Sequence, residues 1–236
     1  MEETTQWLET NDFNSAPVYN AGQPVGYITD AILEDADDDL TLADVCVPLR
    51  VDVIIASDAQ FDVLLDALYE RRFYYLADRN QVTGVLTRAD LNTEPVYQHL
   101  YTLLSRLEHK FRNSITKHAP DWQDTTNLHP DTLDGINDRH DKAKEADVAL
   151  APIHYAQFST LKKVISSHED CWKQFGFDSS HQASSRLAKI VDLRNDVAHS
   201  TPIIQNTKRG IGEAGRTITA LQEQYELITD LLEMPE

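Results

Sequence analysis

The apolar residues of this chain change their spacing at residues 93–95, and that change limits the fold more than any other feature of the sequence. Before it, short runs of β-forming residues alternate with turn signals; after it, apolar residues recur every three or four positions over long stretches. The pattern predicts an α+β protein of two domains. Residues 1–93 would form a small α/β module and residues 94–236 an all-α bundle of four or five helices, each long enough to bury a core.

In the second part, Tyr97, Leu100, Tyr101, Leu104, Leu107, Phe111 and Ile115 make one stripe, a helix of about six turns that stops before Pro120. Residues 129–150 are more polar and predict a short helix with loops. Residues 153–175 predict a third helix with a kink. Residues 179–200 predict a fourth that starts from a serine cap and runs toward Pro202. The last, 218–234, is strongly amphipathic: Ile218, Leu221, Tyr225, Leu227, Ile228, Leu231 and Leu232 exceed what one bundle face needs.

In the first part, 17–29 reads as two strands around an Asn-Ala-Gly-Gln turn, followed by a short helix or loop. VDVIIAS reads as a buried strand, residues 59–71 as a helix with Phe61, Leu64, Leu65 and Leu68 on one side, and RFYYLAD and TGVLT as two more strands, with RADL opening a helix.

Charge narrows the function. Acidic residues number 39 against 21 basic, a net charge of -18 that includes the DADDD run at 35–39. Such a surface repels phosphate backbones, so any RNA site must be a local basic pocket or must work at salt high enough to screen the repulsion. Acidic, lysine-poor surfaces occur in proteins of salt-loving microbes and in many ordinary cytoplasmic proteins. No stretch approaches the roughly 20 apolar residues of a membrane span, and the acidic start is unlike a secretory signal, so a cytoplasmic protein with no membrane partner is expected. Cys46 and Cys171 show no paired spacing that would encode a zinc site or a disulfide framework.

GQPVGYITDAIL at 22–33 and NQVTGVLTRADL at 80–91 align as turn, strand, Gly, two apolar residues, Thr and a helix start. The GVLTRAD segment resembles the end of a CBS motif, so the first part resembles a degenerate CBS-domain pair. The residues before Ala16 are too few to supply the usual leading strand and helix of a first half. The resemblance implies an adenine-nucleotide regulatory ligand, held by Thr87 at a strand end and Asp90 at a helix start. Thr29 takes the place of Thr87 in the first copy, but Ile32 stands where Asp90 stands in the second. An N-capping threonine with a first-turn acid explains Thr87 and Asp90 equally well.

LRNDVAH at 193–199 carries an Arg, four residues and a His. It resembles the signature of the HEPN superfamily, and SRLEHKFRNSI in the first helix of the bundle, IHYAQFSTLKKVI and CWKQF resemble the abortive-infection and Swt-like branches of that superfamily, over about residues 96–233. The resemblance implies a metal-independent endoribonuclease that leaves a 2′,3′-cyclic phosphate, with no cofactor for catalysis. Chemically, such cleavage needs a base for the 2′-hydroxyl proton and a cation for the charge on the phosphoryl oxygens; His199 and Arg194 supply them, with Asn195 beside Arg194 in the catalytic set. Glu108 and Arg112 line the same cleft if the first helix packs as in the family, or form a solvated pair at four-residue spacing.

On an ideal helix Arg194 and His199 are about 140° apart, so the helix should end near His199. A purely structural reading pairs Arg194 with Asp192 or Asp196 and leaves His199 as a helix-end cation. HEPN motifs face a twin across a two-fold axis, which implies a homodimer acting on RNA, an antitoxin or regulatory protein as a further partner, and a setting in stress response or phage defence. The alternative is a non-catalytic nucleotide sensor or docking dimer of the same architecture. His140-Asp141 resembles a metal phosphohydrolase dipeptide, but His129, His154, His168 and His181 show no ligand spacing, so no metal is expected.

Overall fold

The computed structural model describes residues 2–37, 39–79, 81–205 and 215–235. Asp38 of the acidic run and Asn80, which opens the second copy of the repeat, lie outside the described residues. The protein is a mixed α+β chain of two compact units, Met1–Asp90 and Leu91–Glu236.

The first unit begins with helix α1 (Glu2–Asn11) and a hairpin of β1 (Ser15–Asn20) and β2 (Gln23–Thr29). Helices α2 (Asp30–Glu34) and α3 (Leu42–Val45) lead to a two-residue strand β3 (Val47–Pro48), antiparallel to β2. A 3-10 turn (Val51–Val53) then enters β4 (Ile54–Ala56), α4 (Phe61–Glu70), β5 (Phe73–Asp78) and β6 (Gln81–Thr87). Strands β4 and β5 are parallel, with α4 as the crossover that a parallel pair needs, and β5 and β6 form a hairpin.

The internal repeat is structural. Ser15 pairs with Thr29 and Asn20 with Gln23 in the first hairpin; Phe73 pairs with Thr87 and Asp78 with Gln81, at the same offset, in the second. Each hairpin has one register shift, at the equivalent place, between Val18 and Tyr19 and between Leu76 and Ala77. Ala21 and Gly22 take the positive φ angles (48° and 79°) that two-residue hairpin loops favour, and Arg79 does so at 45°. Gly26 is required where β3 crosses: a Cβ there would sit 2.6 Å from the Val47 carbonyl oxygen. The equivalent Gly84 has only ordinary contact, with Leu76 at 3.7 Å.

Leu8, Ile28 and Leu33 form the core of the first copy, and Val53, Ile55, Leu65, Leu68, Tyr74 and Leu86 are buried in the second. Tyr27 joins the two, with its ring 5.8 Å from both Phe73 and Tyr75. Tyr75 is fully buried, its hydroxyl hydrogen-bonded to Ser15, and burial pushes its pKa up to about 12.

Three local expectations change. The strand expected over VDVIIAS is only Ile54–Ala56, because the chain turns through a 3-10 helix that leaves Val51 90% exposed. RADL makes a 3-10 turn (Arg88–Asn92) instead of an α-helix. Helix α1 was not expected, because it buries a single residue, Leu8, and so shows no stripe.

The second unit contains α5 (Glu94–His118), α6 (Trp122–Thr125), α7 (Pro130–Glu145), a 3-10 turn (Pro152–Tyr155), α8 (Phe158–Ser167), α9 (Glu169–Gln174), α10 (Ser180–His199) and α11 (Ile218–Glu233). Helix α5 packs against α8, α10 and α11, and α10 lies along α8. Leu100, Leu104, Leu107, Phe111 and Ile115 are buried as the stripe predicts, with the Phe111 ring 5.0 Å from Phe175. Tyr101 departs from it at 62% exposed, and Tyr97 is half-buried.

Helix α7 is longer than its polar sequence suggests, because it buries only Ile136 and is capped by His129. The helix expected across 153–175 is broken at His168, whose extended backbone separates α8 from α9. In α11, Ile218, Leu221, Leu227, Ile228 and Leu231 are buried and Tyr225 and Leu232 half-buried, so this unit itself uses up the face that looked surplus in the sequence. Among the described residues no helix is long and apolar enough to cross a membrane.

Candidate active site

Helix α10 starts from Ser179, whose hydroxyl accepts a hydrogen bond from the Gln182 N–H at 3.2 Å. Ala183, Leu187, Ile190, Leu193 and Val197 are its buried side. Arg194 falls on that side, between the directions of Ala183 and Leu187, and is half-buried, whereas His199 and Asn195 lie on the opposite face and are exposed. The helix stays regular through His199, so the turn of about 140° between Arg194 and His199 is real, and one chain's pair does not converge.

The helix closes immediately after the histidine. Ser200 is left-handed (φ 52°), its N–H donates to the Val197 carbonyl, and the Thr201 N–H donates to the Asp196 carbonyl at 3.0 Å, the paired bonds of a Schellman closure. A residue with a Cβ is strained in that conformation, so Ser200→Gly should raise stability by up to about 1 kcal/mol. Urea unfolding is the check: a higher midpoint with an unchanged slope.

The residues after His199 are fixed by distant side chains. The Asp196 carboxylate accepts from Arg216 at 2.7 Å and from the Thr201 hydroxyl at 2.9 Å, and the Arg216 side chain is only 7% exposed. Arg216 also donates to the Ile203 carbonyl, the Tyr97 hydroxyl donates to the Thr201 carbonyl at 2.6 Å, and the Asn92 amide makes two 2.9 Å bonds with the Ile204 backbone.

Arg194 is held from α5. Its Nε donates to Glu108 Oε1 at 3.3 Å, while the other Glu108 oxygen accepts from Arg112 Nη2 at 3.0 Å. Glu108 and Arg112 are therefore no solvated pair: their side chains are 18% and 12% exposed, and one carboxylate serves two guanidiniums. The partner of Arg194 is neither Asp192 nor Asp196, because Asp196 is taken by Arg216.

His154 lies in the same surroundings. Burial first, then the charges of Arg112 and His109, hold its pKa below the ordinary value; burial does the same to His99. Both imidazoles fold in the neutral form, so their contribution to stability is full above the unfolded value of 6.5 and is lost as pH falls through their lowered pKa values. The melting temperature should therefore drop as the pH is lowered from 7 past the ordinary histidine value of 6.5, above the range where most carboxylates titrate. A His99→Gln/His154→Gln double variant should show a flatter profile, measured by circular dichroism.

In the first unit, Thr87 and Asp90 are together, but on each other. The Thr87 N–H and hydroxyl both donate to Asp90 Oδ2, at 2.6 and 2.8 Å. Thr29 caps α2, accepting from the Ile32 N–H at 3.4 Å. Both threonines thus close a helical turn at the end of a hairpin, and a nucleotide phosphate there would have to replace the Asp90 contact. His140 lies 3.7 Å from Asp141 and packs its ring on Tyr155 at 5.7 Å. Among the described residues no three His, Cys, Asp or Glu side chains are grouped as metal ligands.

The sequence matches no known family model and no curated protein. What the site can do is therefore argued from its own residues: a guanidinium oriented by a partly buried carboxylate, a second guanidinium beside it, and an exposed imidazole at the end of the same helix. The sequence does not mark Arg216 or Asn92, and it offers Asp196 only as a partner for Arg194, Tyr97 only as a stripe residue and His154 only as a histidine without ligand spacing. Their partners are far away in the chain, as with the Asn92–Ile204 and Tyr97–Thr201 pairs, and no local spacing marks such pairings.

Proposed function

We propose that the protein is a metal-independent endoribonuclease of the HEPN type, working as a homodimer in the cytoplasm, with Arg194 and His199 as its reacting pair and Asn195 beside them. The observation that carries this reading is the Glu108 clasp, which fixes Arg194 and Arg112 together as a local excess of positive charge in a protein of net charge -18. A local surplus of positive charge is what a strongly acidic protein needs to accept a phosphodiester.

In this reading His199 takes the proton from the 2′-hydroxyl, the oxygen attacks the adjacent phosphorus, and Arg194 stabilises the charge that gathers on the phosphoryl oxygens. The 5′-oxygen leaves, and the product carries a 2′,3′-cyclic phosphate. The divergence of Arg194 and His199 on α10 supports a composite site, in which the histidine of one copy faces the arginine of another. The repeated hairpin supports a degenerate CBS pair in the first unit, a regulatory module that takes an adenine nucleotide through Thr87 and Asp90, with Thr29 in the equivalent place. Stress response or phage defence is the corresponding setting.

One observation favours a second reading. Arg194 already has a carboxylate partner, as it would in a bundle that serves only as a docking dimer for a nucleotide sensor. Incubating RNA with the protein in excess chelator over a salt series separates the two. The ribonuclease cuts RNA without metal and leaves a 2′-deoxy substrate intact; the sensor cuts neither.

A further inference from the structure

A cleft of about 430 Å³ opens between α8 and α10, lined by Ser159, Lys162, Lys163 and Ser166 on one side and by Ser184 and Asp192 among those on the other. Two ammonium groups face a single acid there. Neither Lys162 nor Lys163 has an ion-pair partner among the described residues, whereas the neighbouring cations are engaged. Lys189 pairs with Glu223 at 3.2 Å, Lys173 with Glu169 at 2.5 Å and Arg194 with Glu108, and Arg186 lies over the Phe177 ring. With 21 basic residues against 39 acidic ones, two adjacent unpaired lysines beside serine hydroxyls are a local exception to the charge of this protein.

The cleft is aligned with the candidate active site. On α10, Ser184, Ala188, Asp192, Asn195 and His199 fall within an arc of about 80°, so the wall of the cleft continues directly to Asn195 and His199. From Asp192 to His199 the helix rises about 10 Å, the span of about three stacked nucleotides of one strand. Arg194 points off this arc, toward Glu108.

We propose that single-stranded RNA runs along this cleft toward His199, with consecutive phosphates on Lys162 and Lys163 and with Ser159 and Ser184 as further donors. The inference rests on the ribonuclease reading and assigns the substrate track of that site. A lysine pair is a sequence-independent reader, so the track binds backbone and leaves base choice to the region around His199.

The test uses the full chain and a 2′-O-methyl oligoribonucleotide, whose attacking group is blocked, with binding followed by fluorescence anisotropy over a salt series. Lys162→Ala/Lys163→Ala should weaken binding tenfold or more and make the slope of log affinity against log salt shallower by about 1.4, two single-strand phosphate contacts. Lys162→Arg/Lys163→Arg should restore both, and all variants should melt as the parent does, because the lysines are exposed or half-exposed. Unchanged affinity and slope in the alanine pair would overturn the track, as would absence of binding by the parent. An acidic peptide of equal charge that competes as well as RNA would overturn it too, making the cleft a protein-docking site. If the parent cuts ordinary RNA and the alanine pair cuts it equally fast at low substrate, the track falls and the ribonuclease stands. If the blocked RNA binds through the lysines but ordinary RNA is never cut, the track stands and the ribonuclease falls.

Discussion

RNA cleavage by the His199→Ala protein is expected to be slower than that of the parent by a hundredfold or more, with fold and dimer intact. The size follows from the loss of a general base, and the intact fold from the exposure of His199 on the face of α10 opposite Ala183, Leu187, Ile190, Leu193 and Val197. Arg194→Ala should cost a similar factor, because the cation that meets the developing phosphoryl charge is gone. Arg194→Lys should not rescue it: the Nε that reaches Glu108 and the nitrogens left for phosphate belong to one planar fork, which an ammonium cannot reproduce. Single-turnover rates at saturating RNA, with circular dichroism and light scattering on the same samples, read both parts of the expectation.

Glu108→Ala is the substitution expected to harm the fold most among the site residues. It leaves Arg112, at 12% side-chain exposure, and the half-buried Arg194 without their shared carboxylate, and the Arg112 Nε is already buried without a partner among the described residues. Breaking a buried ion pair from one side costs several kcal/mol; partial exposure of Arg194 lowers this to about 3 kcal/mol, or about 6–12 °C in melting temperature for a chain of this size. Glu108→Gln keeps the shape and one acceptor oxygen, so it should lose less than half as much stability. It should still slow cleavage, because a neutral amide no longer holds Arg194 in place. A Glu108→Ala protein that melts with the parent would show that the clasp contributes nothing.

What could be read from the sequence and what could not follows from where the signal lies. The α5 stripe, the Ser179 cap and the end of α10 at His199 are local patterns, in which a few neighbouring residues dictate both conformation and burial. The two hairpins were legible because the repeat fixes turn, Gly and Thr at matching places. Helices α1 and α7 each bury one residue, Leu8 and Ile136, and so carry no stripe. The kink expected within 153–175 is a full break at His168, a position that no proline or glycine marks. At the site, Arg194, His199, Glu108 and Arg112 were all candidates by residue type and spacing. That Glu108 joins α5 to α10 is a tertiary fact, as is the hold of Arg216 on Asp196, and neither is encoded in local spacing. The apparent surplus of α11 misled in the opposite sense: its apolar residues count toward one core, which α5 and α10 complete.

If the chain cuts RNA through the 2′-hydroxyl with a histidine and no metal, the ends of the cut RNA report it directly. RNA cleaved in excess chelator by the parent protein should carry a 2′,3′-cyclic phosphate or its hydrolysis product on one fragment and a 5′-hydroxyl on the other, and the His199→Ala protein should produce almost none of either. Fragments with 3′-hydroxyl and 5′-phosphate ends, cleavage that requires added metal, or equal product from the His199→Ala protein would contradict it.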